Sequence, residues 1–384
     1  PISPSQNSDN LFNFTPPILK HIIAFVVTEL ETGGAENNLT RLAIGLHEHG
    51  HDVTVISIAS LIETSPNGPV AKLKAAGIDV QTLRCDSKWQ FLRARRQLRD
   101  VLAKTKPDFV HSYLFHAHVL ASRVCCSTDI PHIIGLRVAE PRILRQRMLR
   151  RAIRRAAQII AVSSDVKAWA KSKFAIAPNR LLHVPNSVEM ETFTNAPYTN
   201  MPTKGEHKWI TFVGRLHPQK GLLESSAVMR QILANDSTVK LLLVGDGPLR
   251  DKLQSVYFTE LQNKQVYITG RRDDVPGLLG TSDLFIMPSL WEGMPNALME
   301  AMASGLAVVA FDTHGVAELL GSDQPLQCVE AKNYQQFKQS IETLLSDSSL
   351  RVSLGNNNRE RMQDHFSLRR HVSEHESIYA HLLD

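Results

Sequence analysis

The chain has 384 residues, 43% hydrophobic and 21% charged, a soluble-globular balance with length enough for more than one core, which excludes a fibrous or wholly disordered chain. No apolar run approaches the roughly 20 residues that span a bilayer, and the four cysteines (Cys85, Cys125, Cys126 and Cys328) lack metal-ligand spacing, which argues for a reduced, cytoplasmic setting. Residues 1–187 hold 25 Lys plus Arg against 14 Asp plus Glu, a net +11, while the remainder holds 18 against 24, a net −6, so the first half is suited to an anionic partner such as an anionic membrane face or a nucleic acid.

Residues 1–20, rich in Pro, Ser and Asn, lack the basic start and apolar run of a signal peptide and predict a disordered leader. Strand and helix patterns then alternate, which builds parallel sheets covered by helices. The predicted strands of the first half are Ile22–Thr28, Val53–Ser57, Val80–Leu83, Phe109–His111, Ile133–Leu136 and Ile159–Val162. Helices are predicted at about Ala35–His49, Val70–Ala76, Gln90–Lys104, Phe115–Cys126 and Pro141–Ala156. Six strands in this rhythm make a Rossmann-like domain over residues 21–187. The stretch from Val184 to about His207 is rich in Pro, Asn and Thr and reads as an interdomain linker.

A second Rossmann-like domain, residues 188–367, follows, with strands at Trp209–Val213, Lys240–Val244, Gln265–Ile268, Leu284–Met287 and Ala307–Ala310. The tail from Tyr334 is helical, and its last piece, residues 368–384, is expected to pack back on the first domain. The fold class is therefore α/β, with two Rossmann-like domains.

Chemistry concentrates where strands end, since ligands of open α/β sheets bind at the carboxyl edge. After Leu284–Met287 comes Pro288-Ser-Leu-Trp-Glu-Gly-Met-Pro-Asn-Ala-Leu-Met-Glu300. Pro295 suits a helix start, and a helix N-terminus offers free amides to an anion such as a diphosphate. Glu292 lies in the loop and Glu300 in the helix among Leu298, Met299, Ala301 and Met302, an awkward place for an idle carboxylate.

After Trp209–Val213 comes Gly214-Arg-Leu-His-Pro-Gln-Lys-Gly221, in which Arg215 can grip a phosphate by two parallel hydrogen bonds and Lys220 adds a point charge. Gly245-Asp-Gly-Pro248 is a weaker turn at the same edge. Glu31-Thr-Gly-Gly-Ala-Glu36 ends the first strand, and Gly33 and Gly34 allow a phosphate close to the backbone, with Glu36 equally explained as a helix N-terminal charge. His111, His116 and His118 are expected in one strand-end loop after the fourth strand, with at least one facing the cleft. Arg137 ends the fifth strand.

No Asp-x-Asp or His-x-x-x-His pair suggests a metal, and none is predicted. The segment Arg142–Arg155 carries seven arginines with Leu144, Met148, Ala152 and Ala156 as an apolar stripe; its cationic back is either solvated or set against anionic lipid or an anionic acceptor.

Together these residues resemble the retaining glycosyltransferases of family 4, which share the GT-B fold of two Rossmann-like domains facing across a cleft. The likeness runs from Ile22 to the end of the chain. Its most specific part is Glu292-Gly-Met-Pro-Asn-Ala-Leu-Met-Glu300, similar to the family's Glu-x7-Glu motif. Val184-Pro-Asn-Ser187 is similar to the family's entry into the linker, with Ser187 where glycine is common.

The resemblance implies a metal-independent, retaining hexosyltransferase without cofactor, acting in polysaccharide or glycoconjugate synthesis. Its donor would be a nucleotide diphosphate sugar, a UDP-sugar ahead of a GDP-sugar, and its acceptor a glycan or a lipid-linked glycan. Glu292 would contact the sugar, Glu300 the ribose, and Arg215 and Lys220 the diphosphate. Gly33, Gly34, Gly214, Gly245, Gly293, Met294 and Asn296 would line the donor site, and Arg271 would border the base. His116 or His118 would face the donor sugar, the family's fifth-strand histidine being Arg137 here. The location implied is cytoplasmic, peripheral on the inner membrane face through Arg142–Arg155, with no nucleic-acid partner. The alternatives are a GT-B sugar-nucleotide epimerase, which the same fold allows, and a non-catalytic sugar- or nucleic-acid-binding protein. The arginine helix lacks the interleaved aromatics that stack on bases.

Overall fold

The structure, a computed structural model, describes residues 20–31, 33–61, 67–196, 207–321 and 324–383. Residues 1–19 of the expected leader, Thr32 of the first glycine loop, and residues 197–206 of the expected linker lie outside the described residues.

The first sheet contains β1 (Ile22–Val27), β2 (Asp52–Ser57), β3 (Asp79–Thr82), β4 (Phe109–Tyr113), β5 (His132–Leu136), β6 (Gln158–Ala161) and β7 (Leu181–His183). Its order is β3-β2-β1-β4-β5-β6-β7, all parallel. The central strands are buried on both faces, which is why β1 reads as the unbroken apolar run Ile-Ile-Ala-Phe-Val-Val. The helices within this half are α1 (Gly34–Glu48), α2 (Pro69–Ala75), α3 (Phe91–Thr105), α4 (Phe115–Cys125), α5 (Ile143–Arg155) and α6 (Ser164–Phe174).

The chain then passes through α7 (Met190–Thr194) into a second sheet: β8 (Lys208–Val213), β9 (Val239–Val244), β10 (Val266–Gly270), β11 (Leu284–Met287), β12 (Val308–Phe311) and β13 (Cys328–Val329). The order here is β10-β9-β8-β11-β12-β13, again parallel. Its helices are α8 (Ser226–Asn235), α9 (Arg250–Val256), α10 (Phe258–Gln262), α11 (Val275–Gly280), α12 (Asn296–Ala303), α13 (Val316–Leu320), α14 (Tyr334–Ser346) and α15 (Ser348–His365). The final helix, α16 (Leu368–Leu383), lies against α1, where Val372 packs so closely on Gly45 that a Cβ there would stand 2.5 Å from its Cγ2.

Four expectations are corrected. The first sheet has seven strands rather than six, and the second has six rather than five; β7 and β13 are three and two residues long, too short to show a period. The expected linker contains α7, and Val188 bridges to Ser367 just before α16. On α5 the core side is Leu149, Ala152 and Ile153, followed by Ala156, whereas Leu144 of the expected stripe is 71% exposed.

Each sheet reverses its strand order once, between β1 and β4 and between β8 and β11. At such a point the loops leaving two neighbouring strands diverge and open a crevice. The loops after β8 and β11 are Gly214–Gly221 and Pro288–Pro295, so the two richest motifs share one crevice.

Candidate active site

The loops after β8 and β11 are joined by hydrogen bonds from backbone and side chain. Leu290 N donates to Gln219 O at 2.7 Å, and Gln219 Nε2 donates to Trp291 O at 2.8 Å. Gly221 has φ +64°, and a Cβ there would lie 1.9 Å from Pro288 O. Only glycine permits that approach. Gly245, φ +138°, is pressed the same way onto Gly214 O.

This packing brings Lys220 to Glu292. Lys220 Nζ donates to Glu292 Oε1 at 2.6 Å, with the two side chains 17% and 8% exposed. A shielded ion pair of this kind holds a cation and a carboxylate in fixed places. Arg215, in the same loop, is exposed and forms no ion pair within the described residues. Arg271 is exposed at the end of β10, beside Asp246, whose carboxyl is lowered first by the Gly247 amide and further by Arg250 and Arg271.

Helix α12 starts at Asn296, one residue after Pro295, which stands in extended conformation at its N-cap. Asn296 is held by two contacts: its Oδ1 accepts from Asn186 Nδ2 at 2.9 Å, and its Nδ2 donates to Gly34 O at 2.8 Å. Asn186 Nδ2 also donates to Met294 O at 3.1 Å. The first glycine loop, the chain crossing at Asn186 and the loop after β11 are thus tied by side-chain amides. Gly293 lies against the first domain as well, since a Cβ there would stand 1.9 Å from Arg137 O.

Glu300, four residues into α12, pairs with Arg41 of α1 at 3.0 Å, and Arg41 Nη1 also donates to Ser187 O at 2.9 Å. Burial raises the Glu300 carboxyl and Arg41 opposes that rise. The two glutamates therefore have separate cationic partners, Lys220 for Glu292 and Arg41 for Glu300. In the first glycine loop a Cβ on Gly33 would meet the Glu36 carboxyl, and burial pushes that carboxyl up to about 7, with Glu29 and Glu31 adding to the rise.

The histidines are placed otherwise than expected. His111 is in the middle of β4, buried, with Nδ1 2.9 Å from Tyr379 Oη of α16. His118 is buried on α4, its Nδ1 2.8 Å from Ser112 Oγ, which also meets His132 Nε2 at 2.8 Å; burial lowers both imidazoles, His132 to about 3. Only His116 is exposed, in the first turn of α4 beside Phe115. The expectation of one strand-end loop with three histidines is thus corrected, because α4 begins two residues after β4 ends. His118 is committed to a core network.

Sequence reasoning missed Arg41 and Asn186 as site residues. Their partners lie 259 and 110 positions away, and no local pattern reports such a separation. Among the described residues, no three His, Cys, Asp or Glu side chains are grouped to hold a metal ion.

Two family models match the chain: Glycosyltransferase Family 4 over residues 32–192, and Glycosyl transferases group 1 over residues 200–361. The chain is 28% identical over 242 residues to UDP-Gal:alpha-D-GlcNAc-diphosphoundecaprenol alpha-1,3-galactosyltransferase of Escherichia coli, covering 59% of this chain and 60% of that enzyme. It is 24% identical over 375 residues to an uncharacterized glycosyltransferase of Methanocaldococcus jannaschii, covering 90% of this chain and 94% of that protein. Among solved structures, Anabaena Alr3699/HepE in complex with UDP superposes with a TM-score of 0.78 at 17% identity, over 94% of this chain and 99% of that one. That likeness is one of fold, and the fold is GT-B.

Proposed function

Because the chain belongs to the glycosyltransferases of family 4, group 1, we propose that it transfers a hexosyl group from a nucleotide diphosphate sugar to a glycan or lipid-linked acceptor, with retention and without a metal. The observation that carries this reading is the Lys220–Glu292 pair at 2.6 Å, in the crevice between the loops of β8 and β11. A UDP-sugar is the first donor to test, since the E. coli relative is named for UDP-Gal and Alr3699/HepE is described with UDP.

Breaking the anomeric C–O bond places negative charge on the departing diphosphate. In this reading Lys220, exposed Arg215 and the amides at the start of α12 meet that growing charge, which is the way preorganised electrostatics lowers a barrier. Glu292, paired with Lys220, accepts a hydrogen bond from a hydroxyl of the transferred sugar in this reading. Glu300, held by Arg41, keeps Oε2 for the ribose hydroxyls. In the retaining mode the acceptor attacks on the face the diphosphate leaves, and a diphosphate oxygen takes its proton. No protein nucleophile is required.

The acceptor reading follows the same relative, whose name gives a diphosphoundecaprenol-linked sugar. No helix among the described residues is long and apolar enough to cross a membrane. Peripheral attachment on the inner membrane face is supported by α5, where exposed Ile143 and Leu144 precede its arginines.

The direct test incubates the full chain with UDP-glucose, UDP-galactose and UDP-N-acetylglucosamine, with and without a diphospholipid-linked GlcNAc acceptor. Release of UDP that rises with acceptor, and a product with the donor's anomeric configuration, is expected. An inverted product overturns the retaining mode, and free epimerised sugar nucleotide without acceptor supports the epimerase instead.

A further inference from the structure

Arg137 closes β5 at the carboxyl edge of the first sheet, and its carbonyl touches Gly293 of the donor loop. Its guanidinium is fixed on two sides. Nη1 donates to Asn186 Oδ1 at 2.8 Å, and Cζ lies 4.2 Å from the centre of the Tyr113 ring. The remaining edge, Nε and Nη2, is shielded from water and makes no hydrogen bond of ordinary geometry, although the neutral Tyr113 hydroxyl lies near enough to interact with the guanidinium. That edge is the two-pronged face with which arginine grips a carboxylate or phosphate.

No carboxylate pairs with Arg137 among the described residues. The ionisable groups that feel its charge are Tyr113 and His111 of β4, His118 of α4, and His371, His375 and Tyr379 of α16. Burial keeps these imidazoles neutral and the phenols protonated, so none supplies a negative charge. His371 faces the Pro185 backbone, and His375 leaves its Nε2 buried without a partner. A guanidinium does not shed its proton, and a shielded charge without a counter-ion costs several kcal/mol. The surroundings are rich in donors and hold no acid.

We propose that Arg137 receives an anionic group, carboxylate or phosphate, which a substrate carries in addition to the diphosphate of the nucleotide. The proposal rests on the transferase reading. Two sources share this chemistry: the carboxylate of a hexuronosyl donor, and the phosphate next to the sugar of a diphospholipid acceptor. Asn186 links the receptor to the donor loop, since its amide holds Arg137 on one side and Met294 and Asn296 on the other.

Calorimetry on the full chain compares two matched pairs: UDP-glucuronic acid with UDP-glucose, and decyl-diphospho-GlcNAc with decyl GlcNAc in the presence of UDP. UDP alone is the reference. The parent should prefer the anionic member of one pair at least tenfold, and that pair identifies the source. Arg137→Met should erase the preference while leaving UDP affinity within about twofold. Arg137→Lys, which keeps the charge and loses the fork, should restore part of it. No preference in either pair overturns the proposal. So does a loss of UDP affinity in Arg137→Met as large as the loss for the anionic probe, because the anion is then the nucleotide's own diphosphate. Failure of the parent to bind UDP strikes the transferase reading itself, and the reference titration tells that apart. Circular dichroism and melting confirm that each variant is folded.

Discussion

Arg41 Nη2 stands 3.0 Å from Glu300 Oε1, so a cation of α1 in the first half holds the carboxylate proposed to bind ribose in the second. Burial raises the Glu300 carboxyl and Arg41 is the leading opposition. Without Arg41 the carboxyl would hold its proton to a higher pH, and a protonated carboxyl accepts hydroxyl hydrogen bonds less well. Arg41→Met should therefore weaken UDP binding about tenfold at the acid end of the range, the scale of one charge-assisted hydrogen bond. The loss should shrink as pH rises and Glu300 ionises. Titration calorimetry from pH 6 to pH 8.5 checks this, and an equal loss at every pH rules out the positioning role.

Lys220 and Glu292 should separate stability from turnover. Lys220→Met leaves a largely buried carboxylate without its partner, which costs roughly 3 kcal/mol or more when a buried pair is broken. The double variant Lys220→Met with Glu292→Gln removes the orphaned charge and should melt nearer to the parent. Turnover should stay about a hundredfold down in both, because the preorganised charge facing the leaving group is gone. A double variant that regains parental turnover refutes the assignment.

Metal independence is a separate expectation. If Arg215, Lys220 and the start of α12 carry the leaving-group charge, UDP release should be the same after exhaustive treatment with EDTA. Activity lost on chelation and restored by magnesium or manganese would assign that charge to an ion instead.

Ile143 and Leu144 give the membrane reading a sharp test. Sedimentation with vesicles of anionic lipid should retain the chain at low salt and release it as salt rises, since the screening length is about 10 Å at 0.1 M. Ile143→Gln with Leu144→Gln should weaken retention severalfold without changing UDP affinity. Equal retention on neutral vesicles, or none on either, removes the idea.

What could be read from the sequence was what repeats locally. Leu284–Met287 was bounded to the residue, and most strands within one or two, because strands buried on both faces are written as unbroken apolar runs. The glycine loops were visible for the same reason: Gly221 and Gly245 punctuate strand-end motifs, and their positive φ shows why. Contacts between the halves were not legible. Arg41 lies between Thr40 and Leu42 on an otherwise ordinary helix, and nothing near it in sequence announces Glu300. The histidines misled in the opposite way, since proximity in sequence suggested one loop, while β4 and α4 turn His111 and His118 into the core and leave His116 outside.

The last expectation concerns Glu36. Burial, then the charges of Glu29 and Glu31, raise its carboxyl to about 7, against 4.5 for the free side chain. A carboxyl raised in the folded state stabilises the fold fully below its unfolded value, and that contribution is lost as pH climbs through the folded value. The parent should therefore lose stability between about pH 4.5 and pH 7, by on the order of 3 kcal/mol at one pKa unit per 1.36 kcal/mol. Glu36→Gln cannot ionise and should escape this loss. Its melting temperature should exceed the parent's by a margin that opens across that window and then levels off. The same proton matters to the site, because a neutral Glu36 beside Gly33 does not repel a phosphate brought to the first glycine loop. UDP should accordingly bind Glu36→Gln at least as tightly as the parent at pH 8. A stability margin that stays constant with pH would show that Glu36 is ionised throughout and that its burial is compensated in the fold.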